Sequence, residues 1–228
     1  MLSAQLSYDI TDWLNISGRV RVDNTHTKYE QKLYASSNLT ITEESTQGHY
    51  TISKPDETQT YADVLANINK RFNDFSLVAN VGASIVNNRY EDLSYRGPIR
   101  EKGIPNVFNV FDLDNTKKKA RQDEWQEQTQ SIFASVEVGW KSMLYLTLTG
   151  RNDWASQLAN SSTPCFFYPS VGLSGVISEM LTLPEFIDYM KVRGSFSSVG
   201  MPYPRNLTSP TYEYDEANQQ WKPKTHYP

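Results

Sequence analysis

The sequence predicts an all-β chain: a stretch of antiparallel transmembrane β-barrel wall, about eight strands long. Three observations carry this. Hydrophobicity repeats with a period of two, and helical periodicity is almost absent. The alternating segments run to about 9–11 residues, the length that crosses a bilayer at a tilt, where soluble strands average about 5–6. Short and long connections follow one another in strict alternation.

The first segment sets Leu2, Ala4, Leu6 and Tyr8 against Ser3, Gln5, Ser7 and Asp9. Next, Leu14, Ile16, Gly18, Val20 and Val22 alternate with Asn15, Ser17, Arg19, Arg21 and Asp23. Ala62, Val64, Ala66 and Ile68 form the third apolar face, opposite Asp63, Leu65, Asn67 and Asn69. The clearest run places Phe75, Leu77, Ala79, Val81, Ala83 and Ile85 on one face, and only Val78 interrupts the polar side. Ile132, Ala134, Val136, Val138 and Trp140 follow, then Leu144, Leu146 and Leu148 opposite Tyr145, Thr147, Thr149 and Arg151. Val171, Leu173, Gly175 and Ile177 make the seventh face, and Met190, Val192, Gly194 and Phe196 the eighth. Arg19, Arg21, Glu137 and Arg193 are charges in mid-strand on the polar sides.

Short connections are expected at residues 10–13, 71–74 and 141–143, with a longer one at 178–189 closing the fourth pair. Long polar loops are expected at 25–59, 87–129 and 154–167 and from 200 onward. A bacterial outer-membrane barrel has short periplasmic turns and long extracellular loops, whereas a soluble meander has no reason to keep its long loops at one end. Aromatic rings mark both ends: Trp13, Phe72, Phe75, Trp140, Tyr145, Phe186 and Tyr189 at the short turns, and Tyr61, Tyr90, Trp154 and Tyr168 opposite. Such rings suit a membrane interface, with a greasy body and a wet tip. Two alternatives share the alternation. One is a soluble or surface-exposed β-sandwich that binds carbohydrate or protein, its apolar faces packed together. The other is a self-contained eight-stranded barrel, which needs residues 2–9 to pair with 190–199.

Composition narrows the function. Of 228 residues, 38% are hydrophobic, below the roughly 45–50% of soluble domains, while 12% are aromatic, including fourteen tyrosines and five tryptophans. The net charge of −4 is dispersed, so no nucleic-acid footprint exists. The run Lys117-Lys118-Lys119 with Arg121 reads as a solvated loop among Asp112, Asp114, Asp123 and Glu124. A lone cysteine, Cys165, rules out an internal disulfide and reads as a structural loop residue. No apolar run reaches about 18 residues, so no transmembrane helix is encoded. The N-terminus lacks a signal-peptide pattern and reads as strand from residue 2, as expected of a chain that begins inside a longer one.

Chemistry-bearing motifs are sparse. His26, His49 and His226 lack metal-ligand spacing, and no nucleophile elbow, phosphate loop or dinucleotide fingerprint is present. Asp112-Leu113-Asp114-Asn115 has the alternating carboxylates of a hard-cation loop but lacks the glycine and distal glutamate of an EF-hand, and reads as an acidic turn. Asn38-Leu-Thr and Asn206-Leu-Thr match glycosylation sequons, a short pattern of no consequence if the chain is bacterial. The chain is expected to be no enzyme and to carry no cofactor and no metal.

Residues 143–200 carry a more specific signal. A strand ends in Arg151-x-Asp153, a Tyr168-Pro169-Ser170 strand follows, then a Pro184-Glu185-Phe186 turn, then Lys191-x-Arg193 and a closing Gly200. In order and spacing this resembles the barrel of SusC/RagA-type TonB-linked outer-membrane proteins (TonB-dependent receptors) of Bacteroidetes. The resemblance implies one region of a barrel of about 22 strands in the bacterial outer membrane. In this reading residues 1–228 are a partial barrel domain, and the plug domain, the Ton box and the C-terminal strands lie outside the chain. It implies nutrient import, with a SusD-like surface lipoprotein as lid, TonB-ExbB-ExbD as the energy source, outer-membrane lipid around the wall, and an oligosaccharide or peptide as substrate. Candidate rim or substrate contacts are Arg151, Asp153, Trp154, Trp125 and Tyr203. Arg151 and Asp153 share one strand face and suit an ion pair first. Trp154 and Trp125 suit interface anchoring first and stacking on a sugar or peptide second.

Overall fold

The computed structural model describes residues 1–159, 161–182, 184, 186–200 and 211–224. Tyr203, Glu185 and His226 lie outside the described residues. The strands are β1 (Leu2–Thr11), β2 (Leu14–His26), β3 (Tyr29–Tyr34), β4 (Gly48–Ser53), β5 (Asp56–Phe72), β6 (Phe75–Pro98), β7 (Lys119–Trp140), β8 (Leu144–Ala155), β9 (Cys165–Val176), β10 (Lys191–Ser197), β11 (Thr211–Asp215) and β12 (Gln220–Lys224). One helical turn, α1 (Ile177–Met180), follows β9. The main sheet runs β1-β2-β5-β6-β7-β8-β9-β10, with β3 and β4 off that path and β11-β12 a separate hairpin. These eight path strands are the eight that the alternation predicts. The path ends at β1 and β10, which do not pair with each other, so the self-contained eight-stranded barrel is not formed.

The chain divides into two compact units. A sheet unit comprises Ser3–Arg21, Tyr61–Asn87 and Glu127–Pro228, and a loop unit comprises Met1–Leu2, Val22–Thr60 and Asn88–Gln126.

In the sheet unit, register turns the sequence alternation into rows. Val136, Leu148, Val171 and Phe196 are mutual partners across β7–β10, followed by Val138, Leu146, Leu173 and Gly194, then Trp140, Leu144, Gly175 and Val192. Cross-strand partners project to the same side, so these three rows make one apolar surface. It is exposed: Leu146 is 40% and Leu173 58% accessible. Leu6, Val20, Val64, Val81, Ile85 and Ile132 are also exposed. Among the described residues no second sheet covers this face, which overturns the sandwich alternative. The intervening rows are polar, with Ser135, Thr149, Ser170 and Ser197 in one and Glu137, Thr147, Gly172 and Ser195 in the next. On the polar face, Asn15 Nδ2 donates to Ser7 Oγ (2.9 Å) and Asp9 Oδ1 (2.7 Å), and Asn67 Nδ2 donates to Asn15 Oδ1 (3.2 Å).

On β6 and β7, burial on that face falls on small residues: Gly82, Ser84, Ser131 and Gly139. Gly82 lies under the Phe133 ring, and a Cβ there would meet the ring at 2.7 Å and the Val64 carbonyl oxygen at 2.8 Å. The tight turns sit where expected, at 12–13, 73–74 and 141–143. Positive φ at Asn73 (49°), Lys141 (52°) and Ser142 (60°) lets the chain reverse within them. Lys141 N donates to Asp74 O (2.7 Å), which joins two neighbouring turns.

The loop unit departs from the sequence reading. The stretches 25–59 and 87–129 read as loops because they are polar, yet they contain β3, β4, the start of β5 and long parts of β6 and β7. Strand β6 is 24 residues long and β7 is 22. Where both faces of a strand are polar, a period of two has no contrast to display. The connection proper is 99–118, and it is folded. Ile99 and Leu113 form an isolated bridge and are each 1% exposed. Around them, Ser45 Oγ donates to Ile99 O (2.8 Å), Thr42 Oγ1 to Ser45 O (2.9 Å) and Ile99 N to Gly48 O (2.8 Å). Gly48 (φ 114°) takes a conformation that side chains rarely adopt, and a Cβ there would lie 2.6 Å from Leu33 O. Phe108 sits edge-on to Tyr34 at 5.2 Å and tilted to Tyr50 at 6.0 Å. Burial and a 2.6 Å bond to Glu30 push the Tyr50 phenol up to about 12, while that hydroxyl and Lys28 hold Glu30 below its ordinary range.

Candidate functional site

The polar face of the sheet unit carries two charge constellations. Arg151 Nε donates to Asp153 Oδ1 (2.7 Å) and its Nη2 to Ser131 Oγ (2.9 Å), while the guanidinium lies 5.8 Å from the Phe133 ring centre. Arg151 and Asp153 thus form the ion pair that their spacing predicts. Phe133, Arg151 and Tyr168 are cross-strand partners, and beside them a cavity of about 330 Å³ is lined by Ser135, Thr149, Ser170 and Ser197.

The second constellation is one that sequence reading misses. Arg19 Nε and Nη2 both donate to Asp63 Oδ2 (2.9 and 2.7 Å). Arg19 and Arg21 lie 5.3 and 5.8 Å from the centre of the Tyr61 ring. Alternation already places Arg19 and Asp63 on polar faces. The missing step is that β2 and β5 are neighbours, which the insertion of β3 and β4 between them hides.

The two tryptophans part company. Trp154 has the parity of Leu144, Leu146 and Leu148, opposite to Arg151 and Asp153. It lines an apolar depression of about 730 Å³ with Leu6, Val20, Val64, Ile85 and Ile132. It therefore belongs to the greasy surface, on the other side of the sheet from the ion pair. Trp125, in the loop unit, stacks on Tyr90 (centroids 5.3 Å apart, planes at 13°). It lines a polar cavity of about 310 Å³ with Asp23, Thr25, Glu57, Gln59, Asn88 and Arg89. Tyr203 lies outside the described residues.

Rings at the short-turn ends carry lysines. Lys70 Nζ lies 4.8 Å from the Trp13 ring centre and 5.2 Å from that of Phe72, and Lys141 Nζ lies 5.3 Å from that of Trp140. A long cationic side chain over an exposed ring covers apolar area and keeps its charge wet.

The carboxylates of the acidic turn are used by protein donors. Asp112 accepts from Arg100 Nη2 (2.7 Å) and from Asn109, and Asp114 Oδ1 accepts from Thr116 N (2.8 Å) and Oγ1 (2.7 Å). These bonds to Thr116 hold Asp114 below its ordinary carboxylate range. No group of three or more metal-ligating side chains forms among the described residues.

A sheet that is apolar and exposed on one face, polar and charged on the other, and turned by tight reversals is a membrane-barrel wall in every respect but closure. Comparison with protein families gives the decisive match: residues 1–224 fit the family described as "TonB dependent receptor-like, beta-barrel". The chain belongs to this family. TonB dependent receptor-like barrels are outer-membrane receptors and transporters rather than enzymes. Among solved structures, the chain is similar to the one described as "Structure of the RagAB peptide transporter", with a TM-score of 0.75 at 14% identity. It is also similar to the RagAB peptide importer in a "closed-closed" state, with a TM-score of 0.71 at 14% identity. In both cases 98% of this chain aligns with 25% of the other, so the chain spans about a quarter of the length of these neighbours. At this identity the likeness is one of fold, and it is the TonB dependent receptor-like barrel fold that the SusC/RagA resemblance implies. No curated protein matches the sequence.

Proposed function

We propose that residues 1–228 are part of the barrel of a longer TonB-dependent importer in the bacterial outer membrane. In this reading the chain supplies wall, lumen lining and outer loops, while the plug, the Ton box and the C-terminal strands lie elsewhere in the protein. The observation that carries it is the pairing of family membership over residues 1–224 with cross-strand rows of exposed Leu146, Leu148, Leu173 and Val192. An exposed apolar surface of this extent needs a hydrocarbon solvent. The half-exposed rings of Trp13, Phe72 and Trp140, with their lysines, suit the headgroup level at the periplasmic side, and Trp154 suits an interfacial anchor.

The imported nutrient is a glycan or a peptide, captured under a SusD-like surface lipoprotein and moved by work delivered through TonB-ExbB-ExbD. The name of the neighbouring RagAB transporter supports the peptide alternative. On the 99–118 connection Ile104 and Phe111 are strongly exposed, 68% and 93%, as suits a contact with the lipoprotein. Arg151 and Asp153 act as a structural pair that shapes the polar lining. Tyr203 remains a candidate substrate contact on sequence grounds.

The test is deletion of residues 99–118 in the complete protein. Growth on the cognate nutrient and co-purification of the lipoprotein should both fall. Unchanged growth with an intact complex overturns the loop assignment. Recovery of the complete protein from the soluble fraction without detergent overturns the membrane assignment.

A further inference from the structure

The apolar face of the sheet unit ends in different chemistry at its two ends. On β7 the run Ile132, Ala134, Val136, Val138 and Trp140 passes, away from the tight turns, into Gln130 and Gln128. These are uncharged amides, and Gln130 Nε2 donates to Gln128 Oε1 (3.4 Å). At the tight-turn end the same face stops at cations. Lys70 is the next residue in parity after Ala62, Val64, Ala66 and Ile68 on β5, and Lys141 directly follows Trp140. Backbone bonds set this rim in order: Asn69 N donates to Trp13 O (2.9 Å) and Lys141 N to Asp74 O (2.7 Å). Trp13, Lys70, Phe72, Trp140 and Lys141 all belong to the sheet unit. Together the three turns carry Lys70, Arg71 and Lys141 against Asp12 and Asp74.

Lys70 is the better prepared of the two lysines. Its Nζ lies 4.8 Å from the Trp13 ring centre and 5.2 Å from that of Phe72, so two rings hold it in place. Among the described residues it pairs with no carboxylate. Ring faces steady an ammonium and leave it N–H donors for an oxygen ligand. Lys141 is held by Trp140 at 5.3 Å, but Asp74 Oδ2 lies 3.8 Å from its Nζ and answers part of its charge. The ligand that fits Lys70 is an anion with an apolar continuation. A phosphate oxygen accepts from Nζ, while glycerol and acyl carbons cover the half-exposed rings. A soluble anion uses the lysine alone and leaves the rings bare, and a cationic headgroup is repelled. We propose that Lys70, set by Trp13 and Phe72, binds the phosphate of an anionic phospholipid in the periplasmic leaflet, with Lys141 over Trp140 as the neighbouring, weaker contact. The inference rests on the membrane-barrel reading and adds a lipid preference to it.

The experiment uses the purified complete protein, delipidated in detergent and titrated with phosphatidylglycerol, with phosphatidylethanolamine of the same acyl chains, and with lipid A. Native mass spectrometry counts the lipid adducts. Phosphatidylglycerol is expected to bind more tightly than phosphatidylethanolamine. Lys70→Gln, which keeps most of the stem and removes the charge, should weaken phosphatidylglycerol binding about fivefold, and Lys70→Arg should restore it. Lys191→Gln is the control. That lysine lies 5.1 Å from the Tyr145 ring centre on the polar face, and its loss should leave the adducts unchanged. The proposal is overturned if the two phospholipids bind alike, if Lys70→Gln binds phosphatidylglycerol as the wild type does, if Lys191→Gln weakens it equally, or if Lys70-dependent binding is to lipid A instead. Displacement of the phospholipid by an equal concentration of inorganic phosphate also overturns it. Any of these results in a protein that stays membrane-embedded removes the lipid site and leaves the barrel reading standing. Recovery of the complete protein without detergent removes both.

Discussion

The two units handle the same residue types in opposite ways. In the sheet unit the leucines and valines of β7–β10 point outward in rows, and on the polar face of β6 and β7 the buried positions go to Gly82, Ser84, Ser131 and Gly139. In the loop unit Ile99 and Leu113 are buried apolar side chains, each 1% exposed, among polar neighbours such as Ser45 and Thr42. An apolar side chain goes wherever water is absent. In the loop unit that place is a small core of its own making. The rows of the sheet unit's apolar face have no such core, and their natural counterpart is lipid. One chain therefore contains a water-style fold and a membrane-style fold, told apart by which face of a strand is greasy.

This contrast can be broken from either side. The largest effect is expected at Ile99→Ala, which empties the core of the loop unit and should cost about 2–5 kcal/mol of local stability. Limited proteolysis should cut residues 99–118 faster while the heat-modifiable barrel band of the complete protein stays unchanged. Next, Leu146→Arg on the apolar face should cost about 2–4 kcal/mol in a bilayer, read by urea titration of the complete protein in lipid vesicles. Ser135→Arg, on the polar face of an adjacent strand, should cost far less, and equal costs would sink the assignment of faces. Gly82→Val should follow at about 1–3 kcal/mol, since its side chain collides with Phe133 and the Val64 carbonyl.

The smallest effect is a pH dependence confined to the loop unit. His49 is 5% exposed, and burial pushes its imidazole below the ordinary 6.5 against the pull of Glu43, 3.6 Å from Nε2. Arg96, which pairs with the same Glu43 oxygen at 3.2 Å, pushes it down as well. A depressed folded-state value means the unfolded chain takes up the proton first. The stability from neutral His49 is thus complete above about 6.5 and is lost as pH falls below it. Amide exchange across β4, corrected for intrinsic rates, should quicken between pH 7.5 and 5.5 and lose that dependence in His49→Gln.

Much of this was written in the alternation. The eight path strands, the turns at 73–74 and 141–143 and the Arg151–Asp153 pair follow from counting in twos. The same counting separates Trp154, which shares the parity of Leu144, from Arg151, so its membership of the apolar face is legible too. The extensions of β6 and β7 are not legible, because polar residues on both faces leave nothing to alternate. Arg19–Asp63 is hidden for another reason: each residue is readable alone, but their meeting depends on a strand order that β3 and β4 interrupt. The stacking of Trp125 on Tyr90 needs the same long-range knowledge.

The ring of Phe133 over Gly82 has a consequence for how this sequence can drift. The space above position 82 is already filled from position 133, so neither residue is free to change by itself. A methyl group at 82 needs 133 to shrink to an aliphatic and the Val64 carbonyl to shift as well, and a lone loss of the ring leaves backbone uncovered. Among descendants of this gene the two positions should therefore covary, a long-range evolutionary coupling that reports β6 and β7 as neighbours without any coordinates.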